Sequence, residues 1–119
     1  MIQSGSFVIT HLQNPKEKFW GMLVDINAAG VTVYGLDLNS FEDWTRMIVS
    51  NGRNIGLTAM FIPMWRIERI ILDQTIDDLL SLQAQFELRV GMPVRQYLES
   101  QLLPSLSESD DTIPESSDL

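Results

Sequence analysis

The feature that most constrains this chain is a glycine set inside an apolar, strand-like run. That run is Phe19-Trp20-Gly21-Met22-Leu23-Val24-Asp25-Ile26-Asn27, and the turn Ala28-Ala29-Gly30 leads from it into a second run, Val31 to Leu38. Glycine adds no packing area to a strand and is tolerated where the strand bends or where another backbone approaches closely. Two such strands joined by a tight turn predict a small, highly curved β structure in which Gly21, Asn27 and Gly30 serve the bend and the turn.

Three further segments read as strands. The first, Phe7 to Leu12, ends at the turn signal Asn14-Pro15. A fourth spans Leu57 to Ile62 and a fifth Ile67 to Leu72. Pro63 cannot donate to a ladder, so it marks a strand end or an edge. Strict alternation is scarce: Val8-Ile9, Met22-Leu23-Val24 and Ile70-Ile71-Leu72 are consecutive apolar residues. Strands apolar on both faces are covered on both faces. A curved sheet fills one face with its own interior, and the other must meet helices or another subunit.

The segment from Asn39 to Gly56 interrupts the strands. Ser40 reads as an N-cap, Glu42 and Asp43 suit the first turn of a helix, and Phe41, Trp44 and Ile48 share one face. Asn51-Gly52 closes this short helix. A second start is predicted at Thr75-Ile76-Asp77-Asp78, with Asp78 in the capping-box position. Ile76, Leu79, Leu80, Phe86 and Val90 follow at helical spacing up to a stop at Gly91. Pro93 then suits the first turn of a third helix presenting Val94, Tyr97, Leu98 and Leu102. There is no internal repeat.

Charge bears on partners more than on fold. The net charge is −8, and Ser107 to Leu119 holds Glu108, Asp110, Asp111, Glu115 and Asp118 with no base. The remainder is only weakly acidic, a poor match for nonspecific nucleic acid binding, which neutralises phosphates. The Ser-rich acidic tail from Pro104 is expected to be disordered. Cysteine is absent, which removes disulfides, thiolate nucleophiles and cysteine metal sites. No apolar run approaches the roughly 20 residues that span a bilayer. The N-terminus shows no basic-then-apolar leader, so the expectation is a cytoplasmic protein without membrane contact.

Five short strands with a bent second strand resemble the Sm-like small barrel of the Sm, LSm and Hfq proteins, over residues 7 to 72. The first motif of that family is a glycine, an apolar residue two positions later, and an acid or asparagine closing the strand; Gly21, Leu23 and Asn27 follow it. The family then places a methionine-asparagine pair in the turn, whose asparagine contacts an RNA base. Here Gly30-Val31 stands in that place, so the RNA-reading residues are not matched. The second motif ends an apolar strand in a polar or basic turn, often arginine-glycine; here the turn is Pro63-Met64-Trp65-Arg66. Family members begin with a helix, whereas this chain places its helices after the strands. The resemblance implies rings in which the fourth strand of one subunit pairs with the fifth of the next.

No catalytic or metal constellation emerges. His11 is the sole histidine and has no nucleophile or carboxylate at triad spacing, so a locally packed strand-end histidine is expected. Asp37, Asn39, Glu42 and Asp43 are oxygen-rich, but an EF-hand loop counted from Asp37 would need glycine at position 42 and glutamate at position 48. Asp77 and Asp78 read as capping acids rather than a catalytic pair. The glycines at 30, 35, 52 and 56 form no phosphate-cradling pattern.

The aromatic residues carry the functional expectation. Trp20, Trp44 and Trp65, with Phe41 and Phe61 and near Arg46, Arg53, Arg66 and Arg69, have the composition of a stacking and phosphate-binding surface, and Trp44 and Trp65 that of a protein interface; Trp44, Arg46, Arg53, Trp65 and Arg66 are the candidate binding residues. The alternative places Trp20 and Phe61 in the core and uses Phe41 and Trp44 to anchor the insertion. The sequence thus predicts a mainly β protein with helices. Its architecture is a five-stranded, strongly bent Sm-like small barrel, with a short helical insertion between the third and fourth strands and a C-terminal helical cap over 75–102. One domain covers 1–103 and an acidic tail 104–119. The expected function is a non-enzymatic, self-associating module that binds protein partners, without metal or cofactor and without DNA specificity. The alternative is single-stranded RNA bound through the Trp65-Arg66 turn.

Overall fold

The computed structural model describes residues 1–101. Leu102 and the tail expected from 104 lie outside the described residues. Strands β1 (Phe7–Leu12), β2 (Glu17–Asn27), β3 (Gly30–Asp37), β4 (Thr58–Pro63) and β5 (Ile67–Leu72) form one antiparallel sheet in the order β4-β3-β2-β1-β5. The sheet is not closed: β4 and β5 are its two edges and form no ladder with each other.

Two features interrupt the regularity of β2. Gly21 pairs with Gly35 across the β2–β3 ladder. A Cβ on Gly21 would lie 2.4 Å from the Tyr34 carbonyl oxygen, and one on Gly35 would lie 2.0 Å from that of Trp20. The two backbones therefore approach as only a glycine pair permits. Two residues further on, the register slips between Leu23 and Asp25. The unpaired Val24 marks a β-bulge, a feature that bends and twists strands in general. At the end of the hairpin the Asn27 side chain accepts a hydrogen bond from the Ala29 amide, 2.8 Å, and donates one to Asp25, 2.9 Å. That is the turn-forming role of a short polar side chain.

Each face of the sheet carries its own core. On one face Val8, Leu12, Leu23, Val31, Val33 and Ile62 pack together. The opposite face presents Phe7, Trp20 and Leu36, covered by helices α1 (Phe41–Val49), α2 (Leu82–Val90) and α3 (94–101). Runs of consecutive apolar residues in the strands are explained by this double covering.

Helix α1 follows a 3-10 turn, Leu38–Ser40, and the expected cap moves accordingly. Asp37, not Ser40, accepts the capping bond, from the Asn39 amide at 2.7 Å; the Ser40 side chain makes none. Asn51, at φ 62°, ends α1, and the Gly52 amide returns to the Met47 carbonyl at 2.8 Å. This is the doubly bonded C-terminal closure in which asparagine stands in for glycine.

The helix expected from Thr75 does not form there. Asp77 takes φ 53°, and Ile76 and Leu79 bond to each other across a tight turn. Thr75 Oγ1 instead accepts from the Ser81 amide, and Ile76, Leu79 and Leu80 are exposed. Helix α2 starts at Leu82 because Ser81 caps Ala84, 3.0 Å, and because Asp73 reaches over its first turn. The buried Asp73 carboxylate accepts from the amides of Leu82 (2.8 Å) and Gln83 (3.0 Å) and from the Trp20 indole (3.0 Å). A carboxylate at a helix N-terminus is favoured by the orphan amides and the dipole there. Gly91 stops α2 as expected, at φ 94°. Pro93 stands one residue before α3, its carbonyl accepting from the Tyr97 amide.

Candidate functional site

The five residues expected to bind a partner are not brought together. Trp44 is buried, tilted against Trp20, Phe41 and Phe86 and edge-on to Tyr97. Its place in α1 beside Phe41 makes it the anchor of the insertion on the sheet, and it has no face left for a ligand. Arg46 lies on the outer side of α1 and pairs with Glu42 and Asp43. Arg53 is exposed in the following loop and makes no hydrogen bond or ion pair among the described residues.

The turn between β4 and β5 behaves differently at its two key residues. Trp65 is 65% exposed, at the middle of the 3-10 turn Met64–Arg66. Arg66 is committed to the fold. Its guanidinium donates to the Gln13 and Pro15 carbonyls at 2.8 and 3.2 Å and pairs with Glu17 at 2.7 Å. Gln13 in turn donates to the Trp65 carbonyl at 2.8 Å. The fork of donors on arginine suits such a clasp of two loops. It also leaves Trp65, without Arg66, as the available element of this turn.

Phe61, on β4, is 54% exposed rather than part of the core: its side chain is on the face opposite Ile62 but does not join the cluster that the helices cover there. Together with Met64, Trp65 and Ile71 it gives the two edge strands and their connection a run of accessible apolar residues. Strand β4, Thr58-Ala59-Met60-Phe61-Ile62-Pro63, carries no charge. Natural edge strands are ordinarily protected from pairing with another chain by charge, bulges or proline. On β4 only the terminal Pro63 offers such protection.

His11 lies near the end of β1, its imidazole without a hydrogen bond among the described residues. Its pKa is lowered from the ordinary histidine value, first by desolvation and then by Arg69 and Lys18, against an opposing pull from Glu68. Tyr97 is shifted upward by burial and by Tyr34. Among the described residues no group of three or more His, Asp or Glu is placed to hold a metal ion, and no helix is long and apolar enough to cross a membrane.

Lys18 is not among the residues singled out from the sequence, and Arg69 is singled out only as one of the arginines near the tryptophans, not as a neighbour of His11. The Lys18 neighbour is a local feature: counting outward from the Asn14-Pro15 turn sets His11 opposite Lys18. Arg69 comes beside His11 only through the β1–β5 pairing, which no local pattern announces. Compared with protein-family models, curated proteins and solved structures, the chain matches none.

Proposed function

We propose that this protein is a non-enzymatic assembly module that joins copies of itself through β4 and β5 and offers the Phe61–Trp65 region to protein partners. The observation carrying this reading is the six-residue, uncharged edge strand β4, with Phe61 exposed on it. A pairing of β4 with the β5 of a neighbour requires both to be edges, as they are in the order β4-β3-β2-β1-β5. Such a contact is heterologous, so it builds a ring where the rotation closes. The reading includes an Sm-like small barrel. Supporting it are that strand order, the Gly21–Gly35 crossing and the three-residue turn joining the edge strands.

Size-exclusion chromatography with light scattering tests the proposal. The expected result is an oligomer at tens of micromolar that Phe61→Lys dissociates, since a lysine on an edge blocks further pairing. A wild-type protein that remains strictly monomeric removes the self-association reading.

The exposure of Trp65 favours a second reading, contact with single-stranded RNA by base stacking at the β4–β5 turn. Binding of a short oligouridylate should then fall with salt and with Trp65→Ala. Failure to bind at low salt removes it.

A further inference from the structure

Four of the eight lysines and arginines of this acidic chain, and its only histidine, gather at one end of the sheet. Lys16 and Lys18 follow the β1–β2 turn, Arg66 clasps that turn, and Arg69 is on β5. The ladders order two of these cations and the histidine into a row. His11 is directly opposite Lys18 in the β1–β2 register and directly opposite Arg69 in the β1–β5 register. Neighbouring strands are about 4.8 Å apart, so the row spans about 10 Å between its outer backbones.

This row lines a cleft of about 610 Å³ closed on another side by Leu38 and Asn39. The two acids at the cleft are unequal. Glu17 is already neutralised by Arg66 at 2.7 Å. Glu68 occupies the β-bulge where the β1–β5 register slips between His11 and Leu12. It is the one carboxylate at the cleft without an ion pair among the described residues.

We infer that the Lys18–His11–Arg69 row binds a phosphate group, with Lys16 and Asn39 at the rim of the cleft. A phosphate brings close to two negative charges and three acceptor oxygens. Lysine supplies a point charge to them and arginine a planar fork. The imidazole between these two cations is a donor whose protonation a bound dianion would favour. A carboxylate offers one charge against the two fixed cations of the row, and so neutralises it less completely. The His11 pKa is lowered first by burial and then by Arg69 and Lys18, against Glu68, so a bound anion would oppose the part of that shift that the two cations supply. The inference does not depend on self-association, and its readout is one histidine whatever the oligomeric state.

Because His11 is unique, the Cε1 proton of this residue in the full chain reports the site directly. The pKa of His11 is followed by proton NMR in inorganic phosphate, in acetate and in a short oligouridylate with a 5′-terminal phosphate, each against chloride at equal ionic strength. The expected result is a saturable upward shift with a phosphate-bearing probe. Lys18→Gln and Arg69→Gln should each weaken it about fivefold or more, and Glu68→Gln should tighten it. All three side chains are exposed or at the bulge, so the variants keep the fold. Saturation by inorganic phosphate assigns the site to a free phosphate; a response to the oligonucleotide alone assigns it to the terminal phosphomonoester of a strand, the only strand phosphate with close to two charges and three free oxygens. Three results overturn the inference: neither probe moves His11 beyond chloride, acetate reproduces the effect, or the Lys18 and Arg69 variants leave affinity unchanged.

Discussion

Replacement of Asp73 is expected to be among the most destabilising single changes in this protein. The carboxylate is buried and accepts three hydrogen bonds, from the Trp20 indole on β2 and from the Leu82 and Gln83 amides that open α2. It joins the sheet to the helical layer across 53 residues of sequence. A hydrogen bond to a charged acceptor contributes about 1.5–3 kcal/mol net, and a carboxylate at a helix N-terminus about 0.3–1 kcal/mol more. The gross loss in Asp73→Ala is therefore about 5–10 kcal/mol. Water entering beside the partly buried α2 terminus recovers some of it, while the buried Trp20 indole has no such recourse, so the expected net cost is about 3–4 kcal/mol. Asp73→Asn retains the shape and one acceptor oxygen but turns an NH2 group toward at least one donor. Its cost should lie between, at about 2 kcal/mol. Urea unfolding followed by tryptophan fluorescence measures both, with near-UV circular dichroism reporting the packing of Trp20. The reasoning is refuted if Asp73→Ala lies within about 1 kcal/mol of wild type, or if Asn costs more than Ala.

Three other perturbations follow from the same packing. Gly35→Ala drives a Cβ to 2.0 Å from the Trp20 carbonyl oxygen and 2.7 Å from the Gly21 Cα, so β2 and β3 must separate at a cost of about 3 kcal/mol. Gly56→Ala, with nothing within 4 Å, should be neutral or slightly stabilising, and thermal unfolding compares the two. Thr10 is buried, and its hydroxyl has no hydrogen-bond partner among the described residues. Thr10→Val removes that unpaired group at nearly constant shape and should raise stability by about 1 kcal/mol in urea unfolding. His11 has a folded-state pKa below its unfolded value of 6.5. The unfolded chain therefore takes up the proton first, and stability present above pH 6.5 falls as pH drops toward the folded pKa. His11→Gln should flatten the stability profile over that window; an unchanged slope in urea unfolding at a series of pH values would contradict the assignment.

The strands were legible because their signals are local. Apolar runs bounded by Asn14-Pro15, Ala28-Ala29-Gly30 and Pro63 place all five within about a residue or two of their observed ends. The consecutive apolar pairs in the first, second and fifth strands announced a sheet covered on both faces, and it has a core on each. Helix α1 and the stop at Gly91 rest on equally local features, the Phe41-Trp44-Ile48 stripe and a left-handed glycine. The start of α2 was not legible. Thr75 and Asp78 have the spacing of a cap, yet the carboxylate that serves the helix belongs to Asp73 and is oriented by Trp20 from a distant strand. Local capping preferences are worth about 1 kcal/mol, too little to set a boundary against such a latch.

The same distinction governs the candidate site. Trp44, Trp65, Arg46, Arg53 and Arg66 are alike in composition, and only packing separates them. Trp44 fills the helix–sheet interface, and Arg66 clasps two loops through Gln13, Pro15 and Glu17. Trp65 stays accessible. By itself the sequence determined where the backbone runs straight, bends and turns, because those preferences belong to single residues and their neighbours. The tertiary structure alone decided that Gly21 pairs with Gly35, that β4 and β5 are edges, and that Lys18, His11 and Arg69 stand side by side. Each of these depends on which strands pair and in what register, a choice settled by burying two apolar faces at once rather than by any local preference.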